Sequence, residues 1–126
     1  MPRKRKAVGP EYYLILSRKK GDSVTVFTLR TVKEFASFQY AMTVESDVHE
    51  RIIRFNIKGL QTPGISLPRP GPAIFTTEIA HLKGSYEIII RKSDGEEQRV
   101  WMRIKGETLS VEKTGGNRFV ELITPS

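Results

Sequence analysis

The chain of 126 residues contains no cysteine. No disulfide, thiolate metal site or thiol nucleophile can form, and a reducing compartment, the cytoplasm, is the expected setting. No run approaches the ~20 apolar residues of a membrane-spanning helix, so no membrane contact is expected. "PRKRK" has the charge of a signal-peptide start, but the apolar run that follows, "YYLIL", is too short for an h-region. Met1-Pro2 is not a myristoylation start. There is one tryptophan and there are two histidines. His49 and His81 have no second ligand at helical or hairpin spacing, so no metal site and no general base is expected. Glycine-rich phosphate loops, G-x-S-x-G and nucleophile constellations are likewise missing. Internal repeats and a long helical period are absent too.

What is present is positive charge, unevenly placed. The net charge is +7. Residues 1–33 hold nine Lys/Arg against Glu11 and Asp22, and the rest of the chain holds twelve of each sign. The whole imbalance therefore lies in the first quarter. Residues 1–10 offer little to bury and read as a disordered basic arm, followed by one domain over 11–126. Arm and first turn together carry Arg3, Lys4, Arg5, Lys6, Arg18, Lys19 and Lys20 next to Tyr12 and Tyr13. That is a candidate surface for nucleic acid or another polyanion; a solvated basic terminus is the plainer alternative.

From Tyr12 onward a period of two dominates, which reads as strands. "YYLILSR" and "SVTVFTLR" flank "KKGD". With Arg18 opposite Ser23, Leu14 meets Phe27 and Ile15 meets Val26, so both faces of this hairpin are apolar and suggest burial on both sides or a strand that switches sheets. A four-residue turn over Ser46 to His49 pairs Met42 with Ile53, Tyr40 with Phe55 and Phe38 with Ile57. "QTPGISLPRPGPA" has four prolines, at 63, 68, 70 and 72, and reads as a stiff loop before the strand "AIFTTEIAHL".

The last third reads as a four-stranded meander. "SDG" places Gly95 where positive φ is needed and pairs Ile88 with Val100 and Tyr86 with Met102. "GE" at 106–107 fits a type II′ turn, pairing Ile104 with Leu109, Met102 with Val111 and Trp101 with Glu112. "GG" at 115–116 closes a last hairpin, pairing Val111 with Val120 and Glu112 with Phe119. The outer row is then Glu87, Trp101, Glu112, Phe119. Trp101 and Phe119, with Arg99 and Arg103, form a candidate aromatic platform for a base, a sugar or an aromatic side chain. The alternative is that another segment covers that face. Glu87 and Glu112 lie about 9–10 Å apart across two strand spacings, but two salt-bridged surface acids explain them better than a glycosidase pair.

"LKGSYEIII", from Leu82 to Ile90, resembles the E–F corner of fibronectin type III and other immunoglobulin-like domains. The resemblance implies that Tyr86 is a corner tyrosine bonding back to the corner backbone, with Ile88 and Ile90 pointing inward. The same start and meander are also similar to half of an up-and-down lipocalin-like barrel, whose interior would hold a ligand.

The expected fold is all-β: an antiparallel two-sheet sandwich of eight or nine strands, immunoglobulin-like, with the lipocalin-like barrel as alternative. Its expected core is Val26, Phe38, Tyr40, Met42, Ile53, Phe55, Ile57, Phe75, Ile79, Tyr86, Ile88, Val100, Met102, Ile104, Leu109, Val111, Val120 and Leu122. The expected function is a non-catalytic interaction module without cofactor, its protein partner unknown. Polyanion binding through the basic region, or carriage of a small apolar ligand in a barrel, are the alternatives.

Overall fold

Nine strands make up the computed structural model, which describes residues 10–19, 21, 23–36, 40–61 and 71–124. They are β1 (Tyr12–Lys19), β2 (Val24–Phe35), β3 (Ala41–His49), β4 (Ile52–Gln61), β5 (Gly71–Ala80), β6 (Gly84–Arg91), β7 (Glu97–Lys105), β8 (Thr108–Gly116) and β9 (Val120–Ile123). Among the described residues there is no helix. The all-β expectation holds; the two-sheet sandwich does not. All nine strands belong to one curled sheet in the order β8-β7-β6-β4-β3-β5-β2-β1-β9. The sheet is mixed, not antiparallel: β4–β6, β3–β5 and β1–β9 run parallel. Inward rows from β1, β2, β4, β6 and β7 meet in a single cluster, so the sheet wraps around its own side chains, and among the described residues there is no second sheet to pack on. The half-barrel curl keeps the barrel-like part of the alternative, but the strand order is not an up-and-down one.

The local turn chemistry works as expected in the middle of the C-terminal third. Gly95 has φ +95° and Gly106 φ +63°. Ile88 faces Val100, Tyr86 faces Met102, and Ile104 faces Leu109. One bulge alters the outer row. Between Trp101 and Met102 the β7–β8 register shifts, so Trp101 faces Lys113 and not Glu112. The extra residue sits on β8, the usual effect of a bulge.

Three other registers are corrected by the structure. In β1–β2, Leu14 pairs with Leu29 and Leu16 with Phe27, a slip of two from the expected pairing. Ser23 is left-handed (φ +53°) and belongs to the turn. A slip of two leaves every side chain on its face, so Leu14, Leu16, Phe27 and Leu29 point inward at 0–1% exposure. Val26, expected in the core, lies on the opposite face with Ile15, and both are half-buried. In β3–β4, "SDVH" stays extended, and the turn is the two residues Glu50–Arg51, with Glu50 at φ +56°. A short turn with positive φ matches the twist of the strands it joins. Met42 therefore meets Leu60, beyond a bulge at Thr43/Val44. Phe38, expected opposite Ile57, lies outside the described residues.

The third correction is the largest. Gly115 and Gly116 do not turn a hairpin; they continue β8 opposite Arg99 and Gln98. A Cβ on Gly116 would stand 2.7 Å from the Glu97 carbonyl oxygen, and its φ is +80°. Past it the chain swings away, and β9 lies parallel to β1, Tyr12 beside Val120 and Leu14 beside Leu122. This gives the free edge of β1 a hydrogen-bonded partner and carries Val120 into the core. The expected core also omits Leu14, Leu16, Phe27, Leu29, Ile90 and Phe119, all buried. Each such side chain contributes roughly 1.5–3 kcal/mol by leaving water.

The tyrosine corner appears locally despite the different fold. The Lys83 N–H donates to Tyr86 Oη at 3.3 Å, and the Arg51 guanidinium lies 4.9 Å over the Tyr86 ring.

Candidate functional site

On the outer face of β6–β7–β8, Trp101 stands between Glu87 and Lys113. Lys113 Nζ lies 4.6 Å from the centre of its ring. The indole lies against Gly115, where a Cβ would come 3.3 Å from Trp101 Cζ3. Any larger residue there would make the ring shift by a few tenths of an ångström. Trp101 is half-buried, covered in part by its own sheet. Arg99 donates to Glu87 at 2.8 Å and lies 3.6 Å from Glu97. Arg103 lies 3.9 Å from Glu112. Both arginines of the expected platform are thus on its face, and both acids weighed for catalysis are their ion-pair partners.

Phe119 is not with them. It is buried at 4%, meets Tyr12 edge-on at 6.3 Å, and carries Lys92 Nζ 4.8 Å over its ring. The platform loses its second aromatic because β9 leaves β8 for β1. Lys92 in turn binds Glu11 at 2.8 Å and Glu96 at 2.7 Å. Burial by itself works against its charge, but the hydrogen bonds to Glu11 and Glu96 outweigh this and raise its pKa well above the ordinary lysine value. Nothing in the sequence pattern singled out Lys92, because its partners come from the β6–β7 turn and from the start of β1.

Of the seven cations proposed for a polyanion, Arg3, Lys4, Arg5, Lys6 and Lys20 lie outside the described residues. Arg18 reaches from β1 to the β7–β8 turn, donating to Thr25 Oγ1 and to the Gly106 carbonyl, both at 3.0 Å. Lys19 pairs with Glu78 at 3.0 Å. A cleft of about 470 Å³ lies beside them, lined also by Gly21, Ser23 and Glu107. A second cleft, of about 620 Å³, opens over Tyr12, Tyr13 and Phe35. Its aromatic faces are already taken by cations of the same chain: Arg30 lies 5.1 Å over Tyr13 and Lys33 5.3 Å over Phe35.

The most unusual geometry lies between β3 and β5. These strands are neighbours in the sheet but share one paired position, Ala41 with Ile74. Past it, residues 42–49 and 75–80 have no ladder between them among the described residues. β3 is paired on its other side to β4, and β5 to β2. The inward positions beside the parting are correspondingly under-buried. Val48 is 43% exposed, whereas Ile53 directly opposite it on β4 is fully buried. Ser46 is exposed, and Val44, Phe75, Thr77 and Ile79 are half-buried. The row of inward side chains is thus less covered beside this parting. Sequence alternation marked both strands as amphipathic but carried no sign that they part.

No protein-family model matches the chain, and no curated protein or solved structure matches it either.

Proposed function

We propose that the chain is a non-catalytic interaction module of the cytoplasm that takes up an extended polypeptide segment along the parting between β3 and β5. The observation that carries this reading is that, among the described residues, β3 and β5 pair only at Ala41 and Ile74, leaving 42–49 and 75–80 with no ladder between them. An open edge presents a row of backbone donors and acceptors, and an added strand satisfies them while its alternate side chains cover the interior. The exposed Val48 and half-buried Ile79 are the apolar surface such a strand would remove from water. Support for a binding role over catalysis comes from Glu87 and Glu112, whose carboxylates are engaged by Arg99 and Arg103 on an open face.

The test is selection of random octapeptides displayed on phage against the full chain, followed by amide chemical-shift mapping of the selected sequences. The expected footprint covers 42–49 and 75–80. Failure to select any binder, or a footprint confined to the β6–β7–β8 face, would overturn the proposal.

A further inference from the structure

We infer that the segment taken up between β3 and β5 alternates apolar residues with lysine or arginine; this rests on the strand-addition reading above and adds the chemistry of the partner. The basis is a segregation of charge that the overall composition hides. The chain carries 21 Lys/Arg and a net charge of +7. Yet β3, nine residues long, and β5, ten residues long, contain no Lys or Arg. They contain Glu45, Asp47 and Glu78, and Glu50 follows at the hairpin tip. The strands at the parting are acidic in a basic protein.

The acids also share one face. Val44 and Val48 pair with the inward Ile57 and Ile53, so Glu45 and Asp47 point outward. On β5, Phe75 and Thr77 pair with the inward Leu29 and Phe27, so Glu78 points outward as well. Counting along both parallel strands from the shared pair Ala41–Ile74 brings Glu45 and Glu78 to the same level on opposite sides of the parting. An inserted strand would therefore have an acid on each side of its outward residues. Its inward residues would lie between Val44, Ser46 and Val48 on one side and Phe75, Thr77 and Ile79 on the other. Alternate residues of a strand fall on opposite faces, so the complementary sequence is apolar at every second position and basic between.

Glu45 is held at 3.4 Å by Lys58 of β4, the strand next to β3, and Glu78 at 3.0 Å by Lys19 of β1, two strands away across β2. Both pairs are about half-exposed. Such pairs are weak and exchange readily for a new cation. Asp47 lies opposite Arg54 in register. The same acids oppose a second copy of the chain. Two β3 edges side by side would bring Glu45 and Asp47 against their own counterparts, and like charges across strands are unfavourable. Edges are commonly guarded against foreign strands by lysine, and these two have none.

The experiment titrates the full chain with three acetylated, amidated octapeptides of one apolar framework, alternating valine with lysine, threonine or glutamate, read by amide shifts and calorimetry. The lysine peptide is expected to bind along 42–49 and 75–80 about tenfold more tightly than the threonine peptide, from two or three exposed ion pairs together. Its advantage should shrink as salt rises from low to 0.5 M. Equal affinity for lysine and threonine peptides would overturn the charge inference and leave strand addition standing. No binding by any of the three at the parting would overturn both. The double variant Glu45→Lys, Asp47→Lys, with its fold checked by circular dichroism, is expected to prefer the glutamate peptide. An unchanged preference for lysine in that variant counts against the inference, and the salt dependence of the unmodified chain tests it independently of the variant's folding.

Discussion

The side-chain amide of Gln98 is hydrogen-bonded to Val120 in the manner of a strand backbone. Its Oε1 accepts from the Val120 N–H at 2.8 Å and from the Phe119 N–H at 2.9 Å, and its Nε2 donates to the Val120 carbonyl at 2.9 Å. Gln98 is 2% exposed. It lies on β7, which sits near one end of the strand order, while Val120 opens β9 at the other end. One side chain thus ties the two ends of the curled sheet. Arg18, reaching to Gly106, makes a second tie further along.

Replacing Gln98 with alanine removes three hydrogen bonds and leaves two buried N–H groups and a carbonyl without partners. Each buried group left unsatisfied costs on the order of 1–3 kcal/mol, and relaxation recovers part of it. A loss of about 3 kcal/mol in urea unfolding is expected. Glutamate at 98 can still accept from both N–H groups but loses the donor to the Val120 carbonyl and buries a charge, so it should be destabilised too. A loss under about 1 kcal/mol in both variants would mean that the two ends are held by something else.

Lys92→Met keeps an apolar stem against Phe119 and removes the ammonium that Glu11 and Glu96 share. Its side chain is 11% exposed, and a loss of about 1–2 kcal/mol at pH 8 is expected. The sign with pH follows from the raised pKa. Stability from a raised lysine is complete below the unfolded value of about 10.4 and fades as pH climbs toward the folded value. Urea midpoints of the two proteins should therefore keep their separation up to about pH 10 and draw together only as pH climbs above the unfolded value of about 10.4.

Glu97 behaves in the opposite sense. The hydrogen bonds it accepts from Arg91, aided by Arg99, hold its carboxyl below the usual carboxylate value despite partial burial. A depressed carboxylate contributes stability above its unfolded value, about 4.3, and loses it as pH falls through the folded one. The stability difference between the parent chain and Glu97→Gln is expected to shrink from pH 6 to pH 3. A difference that stays flat over this range would show that the Arg91 contact contributes nothing in solution.

The fluorescence of Trp101 reports how its face is covered. With Lys113 over the ring and Gly115 against its edge, iodide should quench it in part. Gly115→Val puts side-chain atoms where the ring lies, so the indole should swing outward, with redder emission and stronger quenching. Blue emission fully shielded from iodide in the unmodified chain would mean that another segment covers the sheet there.

The inward rows of β4, β6 and β7, the all-β class and the turns at Gly95 and Gly106 are legible in the amino-acid sequence itself. Ile88 opposite Val100 and Ile104 opposite Leu109 follow from two local facts: side chains alternate along a strand, and glycine alone enters positive φ without strain. The expected platform is half legible for the same reason. Arg99, Trp101 and Arg103 share a face because they are two residues apart on one strand, whereas Phe119 needed a pairing that no local rule dictates.

What the residues determined alone, then, is which side of β4, β6 and β7 meets the core, because that preference is written in each side chain's own transfer from water; in β1 and β2 both faces are apolar, and only the tertiary structure chose between them. What only the tertiary structure decided is which edges meet. Every strand offers nearly the same backbone donors and acceptors on either edge, so β9 could join β8 or β1 with similar hydrogen bonds. The choice fell to β1 because that arrangement buries Val120 and Phe119 and lets Gln98 span the ends of the sheet. The single pairing of β3 with β5 is likewise a matter of which edges meet, which no single strand specifies.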